Sequence, residues 1–228
     1  MRGIVMNWIK ESQARSVKLR NHYKLHEVDI FIKDALPDNI DPDSVFSYIS
    51  KNIPNHFLEG VDIIYIGNFD IFREKQVNAI YEDGAIYVTN KQDNNQDLID
   101  DIVHEIAHSA EEKYRDRIYE DLTLRKEFLG KRKRLYWILQ SNDYKPYAKI
   151  QNTYHYDKEI DMYFYKDVGY EAMWHIVTGL FPTPYSTTSL REYFAVGFEE
   201  FYMGERSALK QNCPILFSKL EELEYMED

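Results

Sequence analysis

Residues 96–116 constrain the fold more than any other stretch, because their apolar positions recur at helical spacing. The apolar side chains fall on one broad stripe, which predicts an amphipathic helix with a buried face. This helix is expected to begin near Gln96 and to end near Asp116, and it contains residues 104–108, which read HEIAH. The stripe consists of Leu98, Ile99, Ile102, Val103, Ile106, Ala107 and Ala110.

The HEIAH segment is an HExxH motif, in which His104 and His108 lie on the same helix face. Two imidazoles in this arrangement can bind one zinc ion, and the carboxylate of Glu105 can act as general base without being a ligand. The alternative is an ordinary amphipathic helix with two polar histidines. The apolar stripe argues against that alternative, because burying two imidazoles and a carboxylate is costly unless they bind something.

A catalytic zinc site needs a third protein ligand. Cys213 is the one cysteine, so a cysteine cluster is excluded and the ligand is expected to be His, Asp or Glu. No histidine has the spacing of the longer HExxHxxGxxH motif, because residues 111 and 114 are Glu and Tyr. The best candidate is Glu192, an acid in an otherwise apolar helical stretch. A solvent-facing glutamate on an amphipathic helix is the alternative, and composition does not decide between the two.

Predicted strands precede predicted helices along the chain, which indicates an α+β fold with a small mixed sheet packed on the HExxH helix and a helical C-terminal half. Asp83-Gly84 separates two alternating runs, which is a strong hairpin signal. Asp41 is expected to cap a short helix. The first twenty residues suggest a peripheral helix, and residues 142–165 are ambiguous. Strands are predicted at 26–32, 61–66, 78–82 and 85–89, and further helices at 122–139, 167–178, 189–203 and from there to about 223.

The net charge of −11 argues against general nucleic-acid binding, which needs a basic surface. Residues 131–134, KRKR, are a local exception. They are expected to form a solvated helix face paired with the chain's own acids; a docking patch for an acidic partner is the alternative. No membrane-spanning stretch and no secretory signal are recognised, so a cytoplasmic protein without membrane contact is expected. The expected partner is a protein or peptide substrate.

The segments HEIAHSAE and REYFAVGFEEFY, together with Tyr185, resemble the zincin group that contains anthrax lethal factor, the Pro-Pro endopeptidases and Mlc titration factor A. The closest local similarity is to the titration factor peptidases, and it covers roughly residues 84–112 and 182–220. Residues 113–181 are longer than expected for the family and suggest an insertion. The positions that carry the resemblance on the later helix are Glu192, Phe194, Ala195, Val196, Glu199, Phe201 and Tyr202.

This resemblance implies a zincin-like single metallopeptidase domain over residues 1–228, with a strand-rich part (1–95) and a helical part (96–228). It implies that Glu192 is the third zinc ligand and that Tyr185 stabilises the tetrahedral intermediate. Glu111 or Glu112 would be the acid often found after the second histidine. The expected activity is a zinc metalloendopeptidase that hydrolyses peptide bonds by zinc-activated water. A zincin-fold binding or regulatory protein, or a structural component of an assembly, is the alternative.

The strand at 85–89 directly precedes the HExxH helix, and in zincins the strand in this place lines the cleft. An extended substrate is therefore expected to add to this strand through backbone hydrogen bonds.

Overall fold

In residues 21–226, all of the strands precede residue 90, and the part of the chain after residue 90 contains helices and no strand. The computed structural model describes residues 21–226. Two compact units make up the chain, one ending at Ile106 and the other beginning at Ala107. The α+β class, with a small mixed sheet and a helical C-terminal half, is confirmed. The single-domain organisation stays a prediction, and the helix suggested for the first twenty residues lies outside the described residues.

The first unit contains a mixed five-stranded sheet in the order β1-β2-β3-β5-β4. Strands β2, β3 and β5 are parallel, whereas β1 and β4 are antiparallel to their single neighbours. Helices α1 (Pro42–Asn52), α2 (Asp70–Lys75) and the first part of α3 (Asn95–Lys113) belong to the same unit. The strands are β1 (His22–Leu25), β2 (Val28–Ile32), β3 (Ile63–Gly67), β4 (Ala79–Glu82) and β5 (Ala85–Thr89).

The predicted hairpin is confirmed, because β4 and β5 pair across a two-residue turn. Asp83 and Gly84 both have positive φ, 48° and 80°, as a type I′ turn requires. Helix α1 begins after Asp41 as predicted, but the Asp41 carboxylate makes no capping bond to the backbone and accepts from the Ser44 hydroxyl instead. Strand β1 was not predicted.

The expectation that a substrate adds to the 85–89 strand is wrong. Strand β5 is paired on both sides, with β3 on one edge and β4 on the other. Within residues 21–226, β4 pairs with β5 alone, so β4 is the strand of this hairpin that has an open edge. The hairpin connection places β4 outside β5, which local sequence patterns cannot reveal.

The two faces of the sheet differ, as alternation along the strands requires. Ile30, Ile64 and Ile86 are fully buried on one face. The other face carries an aromatic row across β2, β3 and β5, in which the Tyr65 ring stacks at 6.1 Å from Phe31 and at 5.5 Å from Tyr87. The stripe predicted for α3 is buried as well, since Leu98, Ile99, Ile102, Val103 and Ile106 are each at most 5% exposed.

The second unit is helical and begins with the last turns of α3. None of the described helices is long and apolar enough to cross a membrane. Residues 163–168 form a π-helix within the stretch that was ambiguous in the sequence. The helices are α4 (Arg115–Tyr119), α5 (Thr123–Ser141), α6 (Lys158–Met162), α7 (Tyr170–Val177), α8 (Leu190–Met203), α9 (Arg206–Asn212) and α10 (Pro214–Glu224).

The single helix predicted after residue 203 is two helices, with a break at Cys213 and Pro214. A helix accepts proline in its first turn but not in its interior, so Pro214 begins α10. The carboxylate of Glu127, on α5, accepts from the backbone N–H groups of Ile215 (2.8 Å) and Leu216 (3.1 Å) at this start. A distant side chain therefore caps α10, which explains why no local capping residue was evident.

The basic cluster at 131–134 is only partly the solvated face that its composition suggested, since Lys133 and Arg134 are exposed and the other two residues are not. Arg132 is fully buried. Its guanidinium donates to the carbonyl oxygens of Thr153 (2.8 Å), Thr187 (2.9 Å) and Thr188 (3.2 Å). Burial lowers the pKa of Arg132 to about 10. Lys131 likewise donates to backbone carbonyls, so the prediction that these cations pair with acids is wrong for both residues.

We expect Arg132→Met to lower the free energy of unfolding by about 3 kcal/mol, because it leaves three carbonyl groups, two of them on buried residues, without their donor. Urea unfolding followed by circular dichroism measures the change. Arg134→Met is the matched control, since Arg134 is exposed on the same helix and its replacement is expected to change the free energy by less than about 0.5 kcal/mol. Equal effects of the two substitutions would contradict the structural role of Arg132.

Candidate metal centre

Helix α3 carries both predicted histidine ligands one turn apart. His108 is buried, with 6% of its surface exposed, and His104 is half-buried. The helix is continuous from Asn95 to Lys113, so the four-residue spacing puts both imidazoles on one face. The sequence motif therefore has the local geometry that two ligands of one ion need.

The start of α8 positions Glu192. Ser189 is the N-cap residue, and its hydroxyl oxygen accepts from the Glu192 backbone N–H at 3.1 Å. This cap fixes the first helical turn, where Glu192 lies with its side chain half-buried. His104, His108 and Glu192 each offer one ligand atom, and these atoms all lie within 4.8 Å of one another.

The spacing of these groups suits a metal better than a direct hydrogen bond. His108 Nε2 and Glu192 Oε2 are 3.5 Å apart. A hydrogen bond between them would be about 2.7–3.2 Å long, whereas two ligands bound tetrahedrally to zinc at about 2.05 Å would be about 3.4 Å apart. Two neutral imidazoles and a carboxylate are also a ligand set that catalytic zinc accepts. The residues therefore fit a zinc ion.

Glu105, the predicted general base, is buried beside the open-edged strand of the first unit. It is 6% exposed, and its Oε2 accepts from the backbone N–H of Tyr81 at 2.7 Å. Tyr81 opposes Ile86 in the β4–β5 ladder. Alternation in an antiparallel pair turns the Tyr81 N–H away from β5, towards the open edge. One oxygen of the Glu105 carboxylate is thus oriented by the sheet.

Glu111 is the acid that contacts His108, which resolves the choice between Glu111 and Glu112. Glu111 Oε2 lies 3.4 Å from His108 Nδ1, and Glu111 Oε1 accepts from the Tyr119 hydroxyl at 2.6 Å. Burial, and then the charge of Glu111, raises the pKa of Tyr119 well above its usual range. The phenol therefore stays protonated and holds the carboxylate. Glu112 is exposed.

Arg191 was not singled out in the sequence, yet it contacts the same imidazole. Its Nε donates to His108 Nδ1 at 3.1 Å and lies 3.4 Å from Glu111 Oε2. Nδ1 accepts from Arg191 when it carries no proton, and it donates to Glu111 when it is protonated. A metal on Nε2 favours the second arrangement, in which a carboxylate orients the ligand histidine. No local pattern could have identified Arg191 or Tyr119, because their role depends on tertiary contacts.

Asp101 lies one turn before His104 on α3 and was also missed. Its carboxylate accepts from the Gln92 amide at 2.8 Å. Burial raises the pKa of Asp101 to about 6, although the Gln92 hydrogen bond lowers it in part. A raised carboxyl pKa close to a ligand histidine is typical of functional sites.

Tyr185 and Glu199 flank Glu192 in sequence. Tyr185 begins a short 3₁₀ helix, Tyr185–Thr187, before α8, and its side chain is 45% exposed. Its carbonyl oxygen accepts from Thr188. Glu199 is half-buried two turns beyond Glu192 on α8. The role of Tyr185 in stabilising an oxyanion stays a prediction.

Comparison of the chain with known protein families, with curated proteins and with solved structures finds no match.

We expect the purified protein to bind about one zinc ion per chain and His104→Ala or His108→Ala to release it. Glu111→Gln removes the negative charge beside His108 Nδ1 and should weaken zinc binding by about 10- to 100-fold. Titration against a chromogenic chelator measures the affinity. Glu112→Gln is the matched control, because it removes the same charge from an exposed neighbour. Full zinc occupancy in the double histidine variant would rule out the site.

Proposed function

We propose that this chain is a zinc-dependent metallopeptidase with a zincin-like fold, similar to the group of lethal factor and the titration factor peptidases. The observation that carries the proposal is the proximity of His104, His108 and Glu192, with Glu105 on the same helix as the two histidines. The ligand atoms of two imidazoles and of a carboxylate from a later helix all lie within 4.8 Å of one another. His108 is buried and the other two are half-buried, and burial of such polar groups is costly unless they have a partner.

His104, His108 and Glu192 would hold the ion. When bound, zinc supplies a Lewis acid that lowers the pKa of water and polarises the substrate carbonyl. Glu105 then takes a proton from the attacking water and passes it to the leaving amine. The hydrogen bond from Tyr81 orients one carboxylate oxygen for this task.

The open edge of β4 supports binding of an extended peptide. The β4–β5 ladder turns the N–H and C=O groups of Ala79 and Tyr81 towards that edge, because these residues oppose Val88 and Ile86 in non-hydrogen-bonded pairs. The Tyr81 N–H already binds Glu105. A substrate that added to β4 would therefore use the Ala79 groups and the Tyr81 carbonyl, and it would run past the general base.

Glu105→Gln tests the reaction. Glutamine keeps an oxygen that can accept from Tyr81, so zinc content and fold should be unchanged. The substitution removes the base, and activity should fall by about 10²- to 10⁴-fold. Cleavage of a peptide library at neutral pH, with and without a chelator, measures it. If the zinc-loaded wild type cleaves nothing across a broad library, the proposal is wrong and a binding or structural role is the better account.

Tyr185→Phe tests the resemblance to the lethal-factor group. If Tyr185 donates to the oxyanion, its loss should lower kcat on the order of 10²-fold with KM little changed. Tyr165→Phe is the matched control, because Tyr165 is 65% exposed in the same unit and has no expected role. Equal turnover by Tyr185→Phe and wild type would mean that the oxyanion is held without this residue.

A further inference from the structure

A polar pocket of about 620 Å³ lies within the second unit, and His108 and Glu192 form part of its wall. This volume is in the range of small-molecule and side-chain sites. The wall also includes the last turn of α3, the segment at 154–156 and the start of α8. A group bound in the pocket would therefore lie against two of the three candidate metal ligands.

The arginines of the pocket outnumber the glutamates that are available to face a ligand. Arg115, Arg125 and Arg191 line it, together with three glutamates. Two of the glutamates have neighbours within the site: Glu111 accepts from Tyr119 and lies beside Arg191, and Glu192 lies 3.5 Å from His108 Nε2. Arg115 and Arg125 pair with no carboxylate among residues 21–226. In a chain of net charge −11, two cations without acidic partners in one pocket favour an anionic ligand.

Arg125 is the better placed of the two. It is half-buried, and its guanidinium carbon lies 3.7 Å from the centroid of the Tyr154 ring. Stacking holds the guanidinium plane and leaves its N–H groups at the edge. Within the described part of the chain these N–H groups have no hydrogen-bond acceptor. The carbonyl of Tyr154 accepts from the Leu190 N–H at 2.8 Å, so the ring beneath Arg125 is tied to the start of α8.

We propose that this pocket binds a carboxylate of the peptide substrate and that Arg125 is its anchor. The inference rests on the proposed peptidase function and adds the substrate class. A fixed guanidinium edge matches the two oxygens of a carboxylate, which a lysine could not do. The carboxylate belongs either to an acidic side chain next to the scissile bond or to the C-terminus of the substrate.

Peptide cleavage tests the charge preference. In a fluorogenic library, peptides with Asp or Glu beside the scissile bond are compared with their Asn or Gln counterparts, each with a free and an amidated C-terminus. We expect the acidic peptides to have a kcat/KM roughly 10- to 100-fold higher, as for a charge-assisted hydrogen bond. A preference for the free C-terminus in place of the acidic side chain would assign the pocket to the terminal carboxylate.

Substitutions identify the anchor. Arg125→Gln should abolish the preference, and Arg125→Glu should transfer it to peptides with Lys in the same place. Arg134→Gln is the control, because it removes the same charge from an exposed position on the same helix and should leave the preference intact. Equal cleavage of acidic and amide peptides by wild type, with no preference for the free over the amidated C-terminus, would overturn the inference while leaving the peptidase function standing.

A binding measurement separates the two proposals. Calorimetric titration of zinc-loaded Glu105→Gln protein with the amidated acidic peptide and its amide counterpart needs no catalysis. Tighter binding of the acidic peptide that is lost with Arg125→Gln supports the pocket even if the wild type cleaves nothing. Equal binding of these two peptides and of the amide peptide with a free C-terminus overturns the pocket, whatever the activity.

Discussion

The burial of an imidazole and a carboxylate on one apolar helix is the constraint on which the rest of the site depends. His108 and Glu105 are each only 6% exposed, so both must be hydrogen-bonded or paired. Glu105 receives the outward N–H of an edge strand. His108 is approached by Glu111, Glu192 and Arg191. The position of each hydrogen-bonding partner is set by the helix or strand that carries it. The chemistry of the site therefore depends on where those helices begin and how those strands pair.

Several hydrogen bonds from other parts of the second unit fix the start of α8. Ser189 caps its first turn, and the Leu190 N–H binds the carbonyl of Tyr154. The buried Arg132 donates to the two carbonyls that immediately precede Ser189. A guanidinium suits this role because its donors point in several fixed directions within one plane, whereas an ammonium group would be harder to desolvate. Glu192 lies in the first turn of this helix, so a buried cation that donates to backbone carbonyls helps to position a carboxylate.

Local chemistry made much of the fold predictable. The Asp83-Gly84 turn needs positive φ at both residues, and few other pairs provide it, so the hairpin could be located from the sequence. The apolar stripe of α3 was equally informative, since apolar residues that recur every 3.6 positions over several turns indicate an α-helix. Strand β1 is short and polar, and the outer place of β4 follows from tertiary pairing; neither has a local signal. His104, Glu105 and His108 could be chosen because one helix carries them all. Glu192 needed a resemblance, and Tyr119 and Arg191 needed the three-dimensional contacts.

Arginine illustrates why residue type alone does not predict function in this chain. The guanidinium of Arg132 donates to backbone carbonyls, and this residue therefore stabilises the fold. Arg191 directs Nε to an imidazole and a neighbouring carboxylate, so its charge is shared within the site. Among residues 21–226, Arg125 is engaged only at its face, by an aromatic ring, and its N–H groups can bind a ligand that enters the pocket. The three have the same chemistry, and each gains a different role from the acceptors that tertiary structure places around it. An arginine whose face is packed but whose edge has no protein acceptor is held in place at little further entropic cost, and this is the condition under which a surface cation becomes a selective one.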